Sequence, residues 1–208
     1  MSMPEGFRGR VLAAGDTPVS VANVANLITV ARILVAPLVL VLLLIDGGAD
    51  GWTRFFAAML FIVAIATDGV DGALARSRNL ITRSGILMDP IADKALTGAA
   101  FIGIALLGEL PWWVVGLVLG REILITVFRM IMLPTRVIPA SRGGKLKTLS
   151  QAIALSFWLT PAWVILGPWL LVVNQVLMAI AVVLTVVTGI DYLVRGLWKK
   201  DTSGGPAA

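Results

Sequence analysis

The sequence predicts an all-α integral membrane protein: six transmembrane helices, both termini cytoplasmic, and a short N-terminal interfacial helix. Three observations predict it. The 208 residues are 58% hydrophobic, with a mean hydropathy of +0.94, whereas a soluble domain is about 45–50% apolar. Six apolar segments each approach the roughly 20 residues that a helix needs to cross a bilayer. The basic residues gather on one side of those segments.

The elements follow in order. Residues 1–18 hold Pro4, Gly6, Gly9, Gly15 and Pro18 and read as a flexible tail. Residues 19–25 (VSVANVA) suit a short helix lying in the interface. The spans are expected at 26–46, 54–76, 85–107, 111–133, 148–167 and 170–195. Short connections, Gly108 to Leu110 and a turn at Gly167-Pro168, lie on one side. On the other lies 134–147 (PTRVIPASRGGKLK), basic and rich in Gly and Pro. Residues 199–208 (KKDTSGGPAA) form a second flexible tail, which leaves 19–198 as one membrane domain.

Charge sets the orientation. Arg8, Arg10, Arg76, Arg78, Arg83, Arg136, Arg142, Lys145, Lys147, Lys199 and Lys200 fall on one side of the spans. Asp46, Asp50, Arg54 and Glu109 fall on the other. Excess Lys and Arg mark cytoplasmic loops, so both termini are expected inside and the number of spans even. The net charge of +5 is read the same way, and not as a nucleic-acid footprint. The expected location is the inner (cytoplasmic) membrane, with multiple passes. Trp52, Trp112, Trp113, Trp163, Trp169 and Trp198 fall near span ends and read as an interfacial belt.

Against that apolar background stand four aspartates. Asp68 and Asp71 lie near the end of the second segment, Asp89 and Asp93 near the start of the third. A carboxylate inside a bilayer costs about 2.5–3.5 kcal/mol on insertion scales, so four of them need a reason. Helix positions i and i+3 or i+4 share a face. Two antiparallel helices can therefore turn both pairs toward one pocket on the cytoplasmic side. Two divalent cations would neutralise the four carboxylates there and let them stay ionised. The chain has no His and no Cys. Any metal must be held by oxygen, which favours Mg2+ or Mn2+. Any general base must be Asp, Glu, Lys or Tyr. Two other readings stand beside this one. A structural cluster paired to Arg76 and Lys94 would still leave net negative charge. A cation or proton path is the other, since intramembrane acids often mark ion routes. Gly72, Ala75, Arg76 and Gly85 at fixed offsets argue for a ligand-shaped site instead.

The full pattern is Asp68-x-x-Asp71-Gly72-x-x-Ala75-Arg76, eight residues, then Gly85-x-x-x-Asp89-x-x-x-Asp93. It resembles the signature of the CDP-alcohol phosphatidyltransferases at every position. Asn26-Leu27-x-Thr29-x-x-Arg32 looks like that family's N-terminal segment. Asp89-Pro90-x-Ala92-Asp93-Lys94, Arg121-Glu122-Ile123 and Gly144-Lys145-x-Lys147-Thr148 look like its bacterial phosphatidylglycerophosphate synthase subgroup. The resemblance runs over roughly residues 23–155 and implies a site on the cytoplasmic side that binds a CDP-linked lipid and two metal ions. An acceptor alcohol would attack the β-phosphate and CMP would leave. In the subgroup the donor is CDP-diacylglycerol and the acceptor sn-glycerol 3-phosphate. A cardiolipin or phosphatidylinositol-phosphate synthase would keep the donor site and change the acceptor. Carried over by position, Asp68, Asp71 and Asp89 are metal ligands. Asp93 is the general base and can also touch a metal. Asp68, Gly72, Ala75, Arg76 and Gly85 lie along the CDP moiety, with Thr29 and Arg32 at its rim. The family resemblance also implies a homodimer.

A phosphate-bearing acceptor needs Arg or Lys apart from the metals. Arg121 is the sharpest candidate, about midway along the fourth span. A structural pair with Glu122 is the other reading, although adjacent positions diverge by about 100° around the helix and do not easily satisfy each other. Arg129, two turns nearer the cytoplasm, and Lys145 and Lys147 at the inner mouth of the fifth span complete the candidate set.

Overall fold

In the computed structural model the backbone is described for residues 24–77, 83–132 and 142–198, and these are helical apart from short turns. Side chains at 24–29, 68–77, 83–91, 93, 129–132, 142 and 195–198 fall outside the described residues. The elements are α1 (Val24–Asp46), α2 (Trp52–Ser77), α3 (Arg83–Leu106), α4 (Trp112–Met132), α5 (Arg142–Leu159), α6 (Trp163–Leu166) and α7 (Trp169–Trp198). The expected all-α class holds. Six long helices, from 18 to 30 residues, stand close to the six apolar segments. In α7, Trp169–Val194 is long and apolar enough to cross a membrane. Most of the interfacial segment and both tails lie outside the described residues, while Val24 and Ala25 already belong to α1.

The fifth helix departs from expectation at both ends. It begins at Arg142, not 148, and stops at Leu159, not 167. Proline has no N–H and its ring clashes with the carbonyl four residues back, so Pro161 forbids continuation. The chain instead makes the one-turn α6 and bends at Gly167, whose φ of +104° suits only glycine. The early start has a tertiary cause: it turns Lys147 inward, where it is buried.

Local chemistry sets other ends. Gly108, at φ +77°, closes α3 with paired bonds from Gly108 N to Ala105 O (3.0 Å) and Glu109 N to Ile104 O (3.1 Å). That is the Schellman arrangement, which satisfies carbonyls the helix leaves unpaired. Asp46, the last residue of α1, accepts from the backbone N–H of Asp50 (3.1 Å) and Gly51 (3.0 Å) and from Thr53 Oγ1 (2.8 Å). One carboxylate thereby ends α1 and caps the start of α2.

The core forms where α1 packs along both α2 and α3, around Val39, Leu43, Ala57, Phe61, Leu96, Ala100 and Ile104. Small residues bring the helices close: a Cβ on Gly103 would lie 2.6 Å from Leu43 Cδ1. Outward stand Leu34, Ile45, Phe56, Trp113 and Val172, an apolar exterior unlike that of a water-soluble monomer. A second group of contacts joins α4, α5 and α7. Arg121 meets Thr188 and Phe128 meets Tyr192, so α4 and α7 run in the same direction. Lys147 meets Glu122 and Gln151 meets Thr185, so α5 runs against them.

At the Asp46 end of the bundle the four charges read as loop residues come together. Arg54 is fully buried. It donates to Glu109 through both terminal nitrogens (2.5 and 2.7 Å), to the Trp158 carbonyl (3.1 Å) and to the Leu159 carbonyl (3.3 Å). It also meets Asp50 at 3.0 Å. Trp163 covers the guanidinium at 5.0 Å and donates to Asp50 (2.9 Å), while Trp158 donates to Glu109 (3.1 Å). Trp163 is therefore part of this cluster and not simply a belt residue. Trp52, Trp112, Trp113 and Trp169 are exposed as a belt requires, and Trp198 lies outside the described side chains.

Candidate active site

The backbone places Asp68, Asp71, Gly72, Ala75 and Arg76 on the last part of α2. Gly85, Asp89 and Asp93 lie on the first half of α3, and Thr29 near the start of α1. The side chains of all the non-glycine members lie outside the described residues. What surrounds them is described. Arg32, buried on α1, donates from Nε to the Ala64 carbonyl (3.3 Å), one turn before Asp68. Ala92, next to Asp93, is fully buried. Lys94, on its other side, donates to Thr126 Oγ1 on α4 (2.5 Å), and Thr126 donates to the Glu122 carbonyl (2.7 Å). The aspartate end of α3 is thereby tied to the helix that carries Arg121. The four aspartates that the sequence places on these two helices supply only oxygen donors, the type a hard divalent cation takes.

The second half of the site is built by α4, α5 and α7. Arg121 Nη1 and Lys147 Nζ both donate to one oxygen, Oε1, of Glu122, the first at 3.0 Å. Arg121 Nη2 donates to Thr188 Oγ1 at 3.1 Å. The side chains of Arg121, Glu122 and Lys147 are 15%, 17% and 4% exposed, so solvent screens them weakly. Arg121 and Glu122 do pair, the alternative that the offset between adjacent helix positions disfavours. The arginine stem is long enough to fold back across the angular offset. Gly189 leaves the room: a Cβ there would lie 3.2 Å from both Cγ and Nε of Arg121.

Two cations thus meet on one carboxylate in a poorly screened place. Of the four expected acceptor bases, Arg121 and Lys147 are brought together. Lys145 is exposed on a different face of α5, and the Arg129 side chain lies outside the described residues. Sequence reasoning missed Glu122 as the shared partner, and Thr188 and Gly189 altogether. The available signal was two polar or small residues inside the apolar run Val186-Val187-Thr188-Gly189-Ile190.

Known proteins match along this frame. The family described as CDP-alcohol phosphatidyltransferase matches residues 22–187. The chain belongs to that family. As a CDP-alcohol phosphatidyltransferase it is an enzyme of that transfer class. Its relatives include a probable phosphatidylglycerophosphate synthase of Mycobacterium tuberculosis (strain CDC 1551 / Oshkosh). That protein is 46% identical over 184 residues, covering 88% of this chain and 85% of the relative. A CDP-diacylglycerol–glycerol-3-phosphate 3-phosphatidyltransferase of Rickettsia typhi (strain ATCC VR-144 / Wilmington) is 37% identical over 180 residues, covering 82% and 94%. One of the same name from Bacillus subtilis (strain 168) is 34% identical over 194 residues, covering 87% and 98%.

Proposed function

We propose that this phosphatidyltransferase moves the phosphatidyl group of CDP-diacylglycerol to sn-glycerol 3-phosphate, forming phosphatidylglycerophosphate and releasing CMP. The family supplies the donor half of the reading, and the names of the relatives point to the same acceptor. The observation that carries the acceptor half is the Arg121–Glu122–Lys147 cluster, which gathers two cations in one weakly screened place, the kind of group that binds a phosphate dianion.

The residues divide the work. Asp68, Asp71 and Asp89, with Asp93 able to join them, would hold two divalent cations, which supply charge stabilisation for the pyrophosphate. Gly72, Ala75, Arg76 and Gly85 lie along the CDP, with Asp68 and Thr29 at its edge. Arg121 and Lys147 bind the acceptor phosphate, helped by Arg129 and Lys145 at the mouth. Asp93 takes the proton from the acceptor hydroxyl as its oxygen bonds to the β-phosphorus. The bond from that phosphorus to the CMP oxygen breaks, and CMP leaves. We further propose that the six long helices all span the inner membrane, with both termini and the site facing the cytoplasm, and that the protein works as a homodimer. The acyl chains then stay in lipid while the headgroup enters from the water side.

Purified protein with Mg2+ or Mn2+, labelled CDP-diacylglycerol and a panel of alcohols tests this. CMP release with sn-glycerol 3-phosphate is the expected result. Release only with phosphatidylglycerol or inositol phosphate would move the assignment to another acceptor. Background release with every acceptor would reject the transfer. Asp93→Asn is expected to abolish turnover while metal binding, followed by calorimetry, largely survives; lost metal binding would make Asp93 chiefly a ligand.

A further inference from the structure

We infer that the last helix sets acceptor affinity by positioning Arg121, with Thr188 and Gly189 as the positioning residues. The inference rests on the proposed transfer and concerns residues just past the family match, which ends at 187. Thr188 is half-buried on α7. A hydroxyl has one proton, and that of Thr188 goes to the Leu184 carbonyl at 2.6 Å in its own helix. Its oxygen is thereby left as an acceptor, and Arg121 Nη2 donates to it at 3.1 Å. One turn earlier Thr185 repeats the arrangement: it donates to Ala181 O (2.6 Å) and accepts from Gln151 Nε2 (2.9 Å). The threonine face of α7 is thus a fixed row of acceptors, one holding α5 and one holding the arginine of α4.

Gly189 acts by what it lacks. Any side chain there would crowd Cγ and Nε of Arg121 at 3.2 Å and push the guanidinium off its course. Among the described residues, two buried polar atoms of this seam have no hydrogen-bond partner, Arg121 Nε and the Tyr192 hydroxyl. A buried donor left unpaired is costly, so a seam that keeps two of them has room in its hydrogen bonding for a polar ligand. Thr188 holds one edge of the guanidinium and Glu122 the other. The fork is therefore oriented before any ligand arrives, which is how an arginine gains selectivity for a planar pair of oxygens.

The test is a split between two Michaelis constants, measured on full-length protein in detergent. Thr188→Val keeps the shape and removes the acceptor oxygen. It is expected to raise KM for sn-glycerol 3-phosphate about tenfold, the worth of one hydrogen bond to a charged group. KM for CDP-diacylglycerol should stay within about twofold. Thr188→Ser restores the oxygen and should restore most of the affinity, and Gly189→Ala should mimic Thr188→Val. An unmoved acceptor KM in Thr188→Val, or an equal rise in both constants, would overturn the inference. So would a Thr188→Ser no better than Thr188→Val. Should the unaltered protein release no CMP with any acceptor, the transfer reading fails by itself. Calorimetry with glycerol 3-phosphate then decides the positioning role: binding weakened in Thr188→Val supports it, while equal or undetectable binding in both proteins rejects it.

Discussion

Arg54 on α2 and Arg121 on α4 both lie inside helices, and their surroundings are opposites. Arg54 is enclosed by its own chain: two carboxylates, two carbonyls and an indole face take up the whole guanidinium. Acids outnumber bases there, with Asp46, Asp50 and Glu109 around one cation. Among the described residues Arg121 shares one carboxylate and meets one hydroxyl, and its Nε has no partner. Lys147 meets it on the same Glu122 oxygen. A buried charge that its own chain satisfies fully is a fastener between helices. One that keeps an unpaired donor, oriented and poorly screened, is the kind we propose for ligand binding. The contrast also separates the two ends of the bundle, since the Arg54 cluster joins the turns after α1, α3 and α5, while the Arg121 cluster lies on the proposed cytoplasmic half.

The contrast is most exposed to test at Arg54. Arg54→Ala leaves Glu109 and Asp50 facing each other without their cation, and losing one partner of a buried pair costs about 3–5 kcal/mol. Thermal unfolding in detergent should show a larger drop than any variant at Lys147 or Asp46, while the folded fraction keeps its KM for both substrates. A variant of normal stability and altered acceptor KM would erase the distinction. Lys147→Met, which keeps the apolar stem, should do the converse. Its acceptor KM is expected to rise at least about tenfold, with a far smaller change in melting temperature. Inorganic phosphate should inhibit competitively against the acceptor and not against CDP-diacylglycerol. Its inhibition constant should weaken several-fold in Lys147→Met, read from initial rates at varied phosphate. The smallest effect belongs to Asp46→Ala. It removes the cap of α2 at a cost of about 1 kcal/mol and should leave both Michaelis constants unchanged.

Much of this is legible in the chain alone. The six long helices lie close to the apolar segments because apolarity and helix length are local properties. The aspartate pattern, which marks the proposed donor half, is legible for the same reason: a spacing of three or four residues on a helix already implies one face. The fifth helix starts earlier than expected because Gly143 and Gly144 among basic residues read as loop. In fact burial of Lys147 against Glu122 draws that stretch into α5. The charges at 46, 50, 54 and 109 read as signs of orientation, and nothing local says that they meet.

By itself the sequence determined the class, the helices, the family and the aspartate pattern, since each depends on neighbours within a turn or on a motif of 26 positions. The tertiary structure alone decided which charges share partners. Arg54 reaches Glu109 across 55 positions, Lys147 reaches Glu122 across 25, and Arg121 reaches Thr188 across 67. Such pairs depend on which helix faces pack together, and a long flexible cation can find many partners until packing selects among them.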